Sequence, residues 1–238
     1  MGAQWKQKGR ESSALKRGQL FGKLAKEIIV AAKLGGADPD LNARLFVAVE
    51  SAKKQSVPRD TIERAIKKGA GLTGEAVNFE LVTYEGFAPH KVPLVVECLT
   101  DNRNRTAPEI RQLFKDGQFG APGSVMWMFD HIGLVEAHIA GANIDLEGVA
   151  IEAGAQNVEP LADVPAGEVG AHFICDRVDL DAVTKFLKKA GWSVTTSEMS
   201  YLAKNAVEVS EAHKAEVTEF INAIDEHDDV HRIYAALK

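Results

Sequence analysis

The sequence predicts an α+β multidomain protein: an N-terminal three-helix domain, a central α+β domain completed by the C-terminus, and an inserted ferredoxin-like α+β domain. Three observations predict it. Apolar residues recur at helical spacing from residue 12 to residue 69, and from about residue 76 the period becomes strand-like. Between residues 131 and 205 the elements follow the order β-α-β-β-α-β, the split ferredoxin-like pattern. The expected boundaries are 1–75 for the helical domain, 76–130 with 206–238 for the central domain, and 131–205 for the insertion.

The helical part is read first. Leu20, Leu24, Ile28 and Ala31 line one face of a helix over Gln19–Leu34, which Gly35-Gly36 stops. Ala37-Asp38-Pro39-Asp40 reads as a turn with a capping carboxylate. A second apolar stripe of Leu41, Leu45, Ala48, Val49 and Ala52 follows it. Pro58 suits the first position of a third helix, whose inner face is Ile62, Ala65 and Ile66 and which Gly69 ends. Gly69-Ala70-Gly71-Leu72-Thr73-Gly74 matches a dinucleotide-binding string, but it follows a helix and opens none. It is read as a helix stop and linker.

Strands are expected at Phe79–Tyr84, Val92–Leu99 and Ser124–Phe129, with a helix from Thr106 to Phe114. The insertion continues as Ile132–His138 (strand), Ile144–Ala153 (helix), a short strand near Val158, Val169–Cys175 (strand), Asp179–Ala190 (helix) and Ser193–Leu202 (strand). A final helix from Ser210 and a strand over Val230–Leu237 supply what the middle region lacks to close its sheet.

Of the 238 residues, 45% are apolar and 26% charged, the composition of a globular chain rather than a disordered one. No run of 18 apolar residues occurs, which excludes a membrane-spanning helix, and the basic N-terminus has no apolar run behind it. Cys98 and Cys175 sit in apolar segments and read as buried free thiols of a cytoplasmic protein. The net charge of −6 is unevenly spread. Residues 1–70 carry 15 Lys/Arg and 7 Asp/Glu, whereas residues 131–238 carry 8 and 19. A basic head on an acidic body points to a polyanionic partner for the head.

Lys16, Lys23, Lys26 and Lys33 share about a third of the first helix's circumference at roughly 100° per residue. Arg64, Lys67 and Lys68 likewise lie opposite the apolar face of the third helix. Trp5 among Lys6, Lys8 and Arg10 reads as an arm in which an aromatic stacks and cations meet phosphate. In the run from Thr100 to Thr106 a buried strand gives way to a helix. There Arg103 and Arg105 either hold phosphate beside backbone N–H groups or pair with nearby carboxylates. With Arg17 and Arg59, these cations and Trp5 form the candidate nucleic-acid-binding set. The segment from Glu226 to His231 is read as a solvated acidic surface rather than a metal site. His90 and His213 suggest no role, and no nucleophile–base or acid–base constellation is evident, so neither catalysis, metal nor cofactor is expected.

Five strings carry a resemblance: the run from Ala31 to Asp40, the run from Pro58 to Ile66, Tyr84-Glu85-Gly86-Phe87, the run from Asp101 to Thr106, and Gly123-Ser124-Val125. In this order they resemble the YebC/PmpR family of probable transcriptional regulators over nearly the whole chain. Two departures mark a divergent branch: Gly2-Ala3-Gln4-Trp5-Lys6 at the opening and Gly117-Gln118-Phe119 before Gly120. The resemblance implies the same three domains and no catalysis. Some members are described as DNA-binding regulators; others, including mitochondrial relatives, resemble translation activators that work with the ribosome where proline-rich products stall it. The expected partners are therefore DNA or ribosomal RNA, and the ribosome, for a monomer that meets no membrane. An acidic body and a third helix without Asn or Gln on its outer face tilt the balance towards RNA. An enzyme using a cleft between domains is a third reading, which substrate-dependent protection of Arg103 and Arg105 would support.

Overall fold

The computed structural model describes residues 4–74, 78–162 and 164–238, without the side chains of residues 4–15 and 43. Helices α1 (Gln4–Gly35), α2 (Ala43–Lys54) and α3 (Arg59–Gly69) pack around Ile28, Ala32, Leu45, Ala48, Val49, Ala52, Ile62 and Ala65. Helix α1 starts well before Gln19. The segment expected to be an arm is helical backbone, as its Lys, Arg, Gln, Ala and Leu content favours; no proline interrupts it and Gly9 and Gly18 are isolated. The side chains of Trp5, Lys6, Lys8 and Arg10 lie outside the described residues.

The cap of α2 is Asn42, not a carboxylate of the preceding turn. Its Oδ1 accepts the Leu45 N–H at 3.1 Å, while its Nδ2 donates to the carbonyls of Ala31 and Gly36. One amide thus ties the end of α1 to the start of α2. A Cβ on Gly35 would lie 2.6 Å from Asn42, so this corner requires glycine. Asp38 instead accepts the Asp40 N–H within the turn, and Leu41 points outward, 84% exposed, rather than joining the apolar stripe. Pro58 is the residue before α3, and Gly69 lets α3 approach the Ile29 carbonyl of α1.

The first sheet has the order β3-β1-β2-β8, all antiparallel, from β1 (Glu80–Ala88), β2 (Val92–Thr100), β3 (Gln118–Phe119) and β8 (Val230–Ala235). Every residue of β2 is buried. Helices α4 (Arg103–Leu113) and α7 (Glu211–Asp225) cover one face through Ile110, Val217, Phe220 and Ile224. The C-terminal helix and strand therefore complete the central sheet.

The second sheet has the order β5-β6-β4-β7, also antiparallel. It alternates β4 (Phe129–Ala140), α5 (Leu146–Ala153), β5 (Asn157–Leu161), β6 (Glu168–Cys175), α6 (Leu180–Lys189) and β7 (Ser193–Ala203), which is the ferredoxin-like arrangement. Its core holds Val135, Phe173, Cys175, Val183, Leu187 and Trp192. Phe46 and Val47 of α2 pack against it, with the Lys188 ammonium 4.1 Å from the Phe46 ring centre.

Ser124–Phe129 is not a strand. The buried Glu85 carboxylate accepts the backbone N–H groups of Gly123, Val125 and Met126 at 2.6, 2.9 and 2.9 Å. These donors are thereby withdrawn from strand pairing. Met126–Met128 forms a 3₁₀ turn instead, and pairing begins at Phe129.

The three parts meet at Arg232 of β8. Its guanidinium bonds Glu27 of α1 at 3.2 Å and, more closely, Glu198 of β7. Glu97 of β2, its partner in register, accepts the Tyr234 hydroxyl at 3.1 Å. Burial pushes the Glu198 carboxyl up to about 7 despite Arg232, whereas burial and then Arg232 lower neighbouring His231 to about 4. Replacing Arg232 by Met leaves carboxylates without their partner and is expected to destabilise the chain by about 3 kcal/mol, measured by urea unfolding at pH 7. The two shifts oppose each other in pH. The stabilisation tied to Glu198 is full below its ordinary pKa and lost as pH rises through about 7. That tied to His231 is full above its ordinary pKa and lost as pH falls through about 4. Melting temperature in the acidic range is therefore expected to fall more steeply with decreasing pH in Glu198→Gln than in the parent chain. In His231→Asn it is expected to rise relative to the parent as pH decreases.

Candidate nucleic-acid interface

The cations of α1 do not share one fate. Lys23 and Lys26, expected on a solvent face, turn towards the C-terminal end of α7 and the start of β8. Lys23 bonds the Asp225 carbonyl and its carboxylate, the latter at 3.0 Å. Lys26 reaches Asp229 at 2.7 Å and the Asp228 carbonyl at 2.9 Å, and Lys16 pairs with Glu226 at 3.2 Å. The Lys23 side chain is only 17% exposed, so its placement on an open face is corrected. A helical wheel shows which cations share a face but not what covers that face.

Asp229 anchors this seam. It is buried, and it accepts from Lys26, from Arg105 Nη2 at 2.7 Å and from the Thr106 hydroxyl at 2.7 Å. Burial alone would raise its pKa, but these hydrogen bonds outweigh it and hold the carboxyl well below the usual range. The acidic segment after α7 is therefore not merely a solvated surface. It receives α1 and α4, because the chain returns there to place β8 beside β2.

The same network engages the loop before α4. Arg105 pairs with Asp229 and Asp101, and Arg103 lies 3.7 Å from Glu80. The Asn102 side chain accepts the N–H groups of Asn104 and Arg105, donors that an anion would otherwise meet. Of the two readings of this loop, the geometry shows the pairing with carboxylates.

Helix α3 presents a different surface. Ile62 and Ala65 face inward, leaving Arg59, Arg64 and Lys67 exposed and Lys68 half-buried. Arg59 bonds Glu63 at 2.7 Å, an exposed pair of little strength. Arg64 donates to the Asp60 carbonyl and to the Thr61 hydroxyl. Among the described residues, Arg17, Lys54, Arg64 and Lys67 have no carboxylate at ion-pair distance. Exposed Lys53 and Lys54 end α2 beside the turn into α3; they are absent from the sequence-derived set. Their position opposite Ala48 and Ala52 and just before Pro58 was the signal that could have found them.

Among the described residues no group of three or more His, Cys, Asp and Glu side chains is placed to hold a metal ion, and no helix is long and apolar enough to cross a membrane.

Comparison with known proteins follows this architecture. The model of the TACO1/YebC protein N-terminal domain matches residues 2–72, and that of the TACO1/YebC second and third domain matches residues 79–237. A probable transcriptional regulatory protein of Pseudomonas syringae pv. syringae (strain B728a) is 55% identical over 239 residues, covering 100% of this chain and 99% of that one. One from Bdellovibrio bacteriovorus is 49% identical and covers 100% of each. The crystal structure of a conserved hypothetical protein from Aquifex aeolicus superimposes with a TM-score of 0.77 at 37% identity, covering 94% of this chain and 90% of that one. With its three-helix head, central sheet and ferredoxin-like insertion matched from end to end, the chain belongs to the TACO1/YebC family.

Proposed function

We propose that this chain is a non-enzymatic, nucleic-acid-binding regulator of gene expression, acting as a cytoplasmic monomer, and that α3 with the end of α2 forms its contact surface. The observation that carries this reading is the division of cations within the basic head. Lys23 and Lys26 are engaged by the acidic corner and exposed Lys16 pairs with Glu226, whereas Arg64 and Lys67 are exposed with no carboxylate at ion-pair distance among the described residues. Phosphate contacts of exposed Lys and Arg supply affinity without naming the polymer. The relatives' printed names, probable transcriptional regulatory proteins, support regulation of transcription.

A second reading, a translation factor bound to ribosomal RNA or tRNA, draws support from the same helix. Its exposed residues are Arg59, Asp60, Glu63, Arg64 and Lys67, among which no Asn or Gln offers the paired hydrogen bonds that read an adenine edge. Such a surface suits a target recognised by backbone and shape. Crosslinking in living cells followed by sequencing separates the two. Ribosomal RNA recovered at a focused site supports the translation reading, and discrete promoter DNA supports the transcription reading.

Replacing Arg64 and Lys67 together by Ala is expected to weaken nucleic-acid binding. The slope of log K against log salt should become shallower by about 1 for each phosphate no longer neutralised, as fluorescence anisotropy at several salt concentrations would read. Unchanged affinity and slope would sink the α3 surface. Replacing Lys16 and Lys23 by Ala is expected to leave that slope within error of the parent while lowering the melting temperature, since these side chains hold α1 to the acidic corner.

A further inference from the structure

A groove of about 1750 Å³ runs between α1, α4 and α7, larger than the roughly 300–1,000 Å³ usual for small-molecule pockets. Phe79, Pro89, Leu113 and Phe220 contribute apolar surface to it. Around them its lining holds eight carboxylates against four Lys and Arg. Three of those cations are engaged: Lys23 by Asp225, and Lys26 and Arg105 by Asp229. Exposed Glu219 and Asp228, by contrast, have no ion-pair partner among the described residues, and Asp116 faces only Lys115 at 4.0 Å. Among the described residues the lining therefore carries an excess of negative charge, the reverse of the exposed charge on α3. A nucleic acid or a small anion is repelled here; a chain of opposite charge is drawn in.

We infer that this groove is a docking site for a basic polypeptide segment that carries apolar side chains among its lysines or arginines. Size, charge and surface select that occupant together. The volume accommodates a stretch of polypeptide, the carboxylates of Glu219 and Asp228, unpaired among the described residues, meet its cations, and the partly exposed apolar lining at Leu113, Pro89 and the edge of Phe79 receives its aliphatic groups. The chain would then have two faces of opposite sign, one for nucleic acid and one for a basic protein. The second does not depend on the first.

Binding of a fluorescein-labelled peptide of lysines interspersed with leucines to the full chain tests this, with a glutamate–leucine peptide as its counterpart. The lysine peptide is expected to bind saturably, more weakly as salt rises, and the glutamate peptide not to bind. Reversing two exposed charges in the Glu219→Lys, Asp228→Lys double variant should weaken the lysine peptide by about tenfold or more at low salt without moving the melting temperature. Ala223→Trp, which fills the groove without changing charge, should also abolish binding. The Arg64→Ala, Lys67→Ala variant should bind the peptide as the parent does, so that a failed α3 surface and a failed groove give different results. No binding by the parent, equal binding of the glutamate peptide, or undiminished binding by either groove variant overturns the inference. Displacement of the peptide by single-stranded RNA from the groove, seen equally in the α3 variant, overturns it too and would assign the groove to nucleic acid.

Discussion

One guanidinium fixes how the three parts of this chain sit together. Arg232 belongs to the last strand, yet it bonds Glu27 of the first helix and Glu198 of the inserted sheet, beside Glu97 of its own sheet. The crowding of carboxylates around this cation is relieved because Glu27 and Glu198 bond it, Glu97 accepts the Tyr234 hydroxyl, and Glu198 holds its proton up to about pH 7. Burial raises Glu198 and lowers His231, so the junction stands between two protonation changes of opposite sign. Apolar packing adds to this hub without replacing it. Phe46 and Val47 seat the helical head on the inserted domain, and Val95 with Val125 and Phe129 joins the two sheets.

The charge asymmetry along the chain takes on a more specific meaning once it is folded. Part of the basic head and part of the acidic body neutralise each other along the seam of α1 with α7 and β8, Asp229 being its buried centre. What remains is separated: cations on α3 and the end of α2, carboxylates around the groove. The net charge of a region thus overstates the charge available to a partner, because ion pairs between distant segments do not show in a running sum.

The elements were legible because their determinants are local. Helical and strand periods, the Gly35-Gly36 stop, the Pro58 start and the β-α-β-β-α-β order all act over a few residues. Where local reading failed, a distant group was responsible. Ser124–Met128 has strand-like composition, but Glu85, 38 or more positions away, takes its N–H groups. The cap of α2 is the exception: Asp38 and Asp40 look like caps, but Asn42, only two residues further on, takes that place and also reaches the Ala31 carbonyl. The site was less legible than the fold. The outward direction of Arg64 and Lys67 follows from the α3 stripe alone, whereas the fates of Lys23, Lys26 and Arg105 depend on residues more than 100 positions away.

By itself the sequence determined the three-part architecture and the sign of the head, since periodicity, order and composition are properties of neighbouring residues, and five short strings carried its resemblance to a family. Only the tertiary structure decided which cations remain free, where the acidic surface lies and what joins the parts. A buried charge must find its partner wherever the fold brings one, and Asp229 and Arg232 found theirs in α1, α4 and β7.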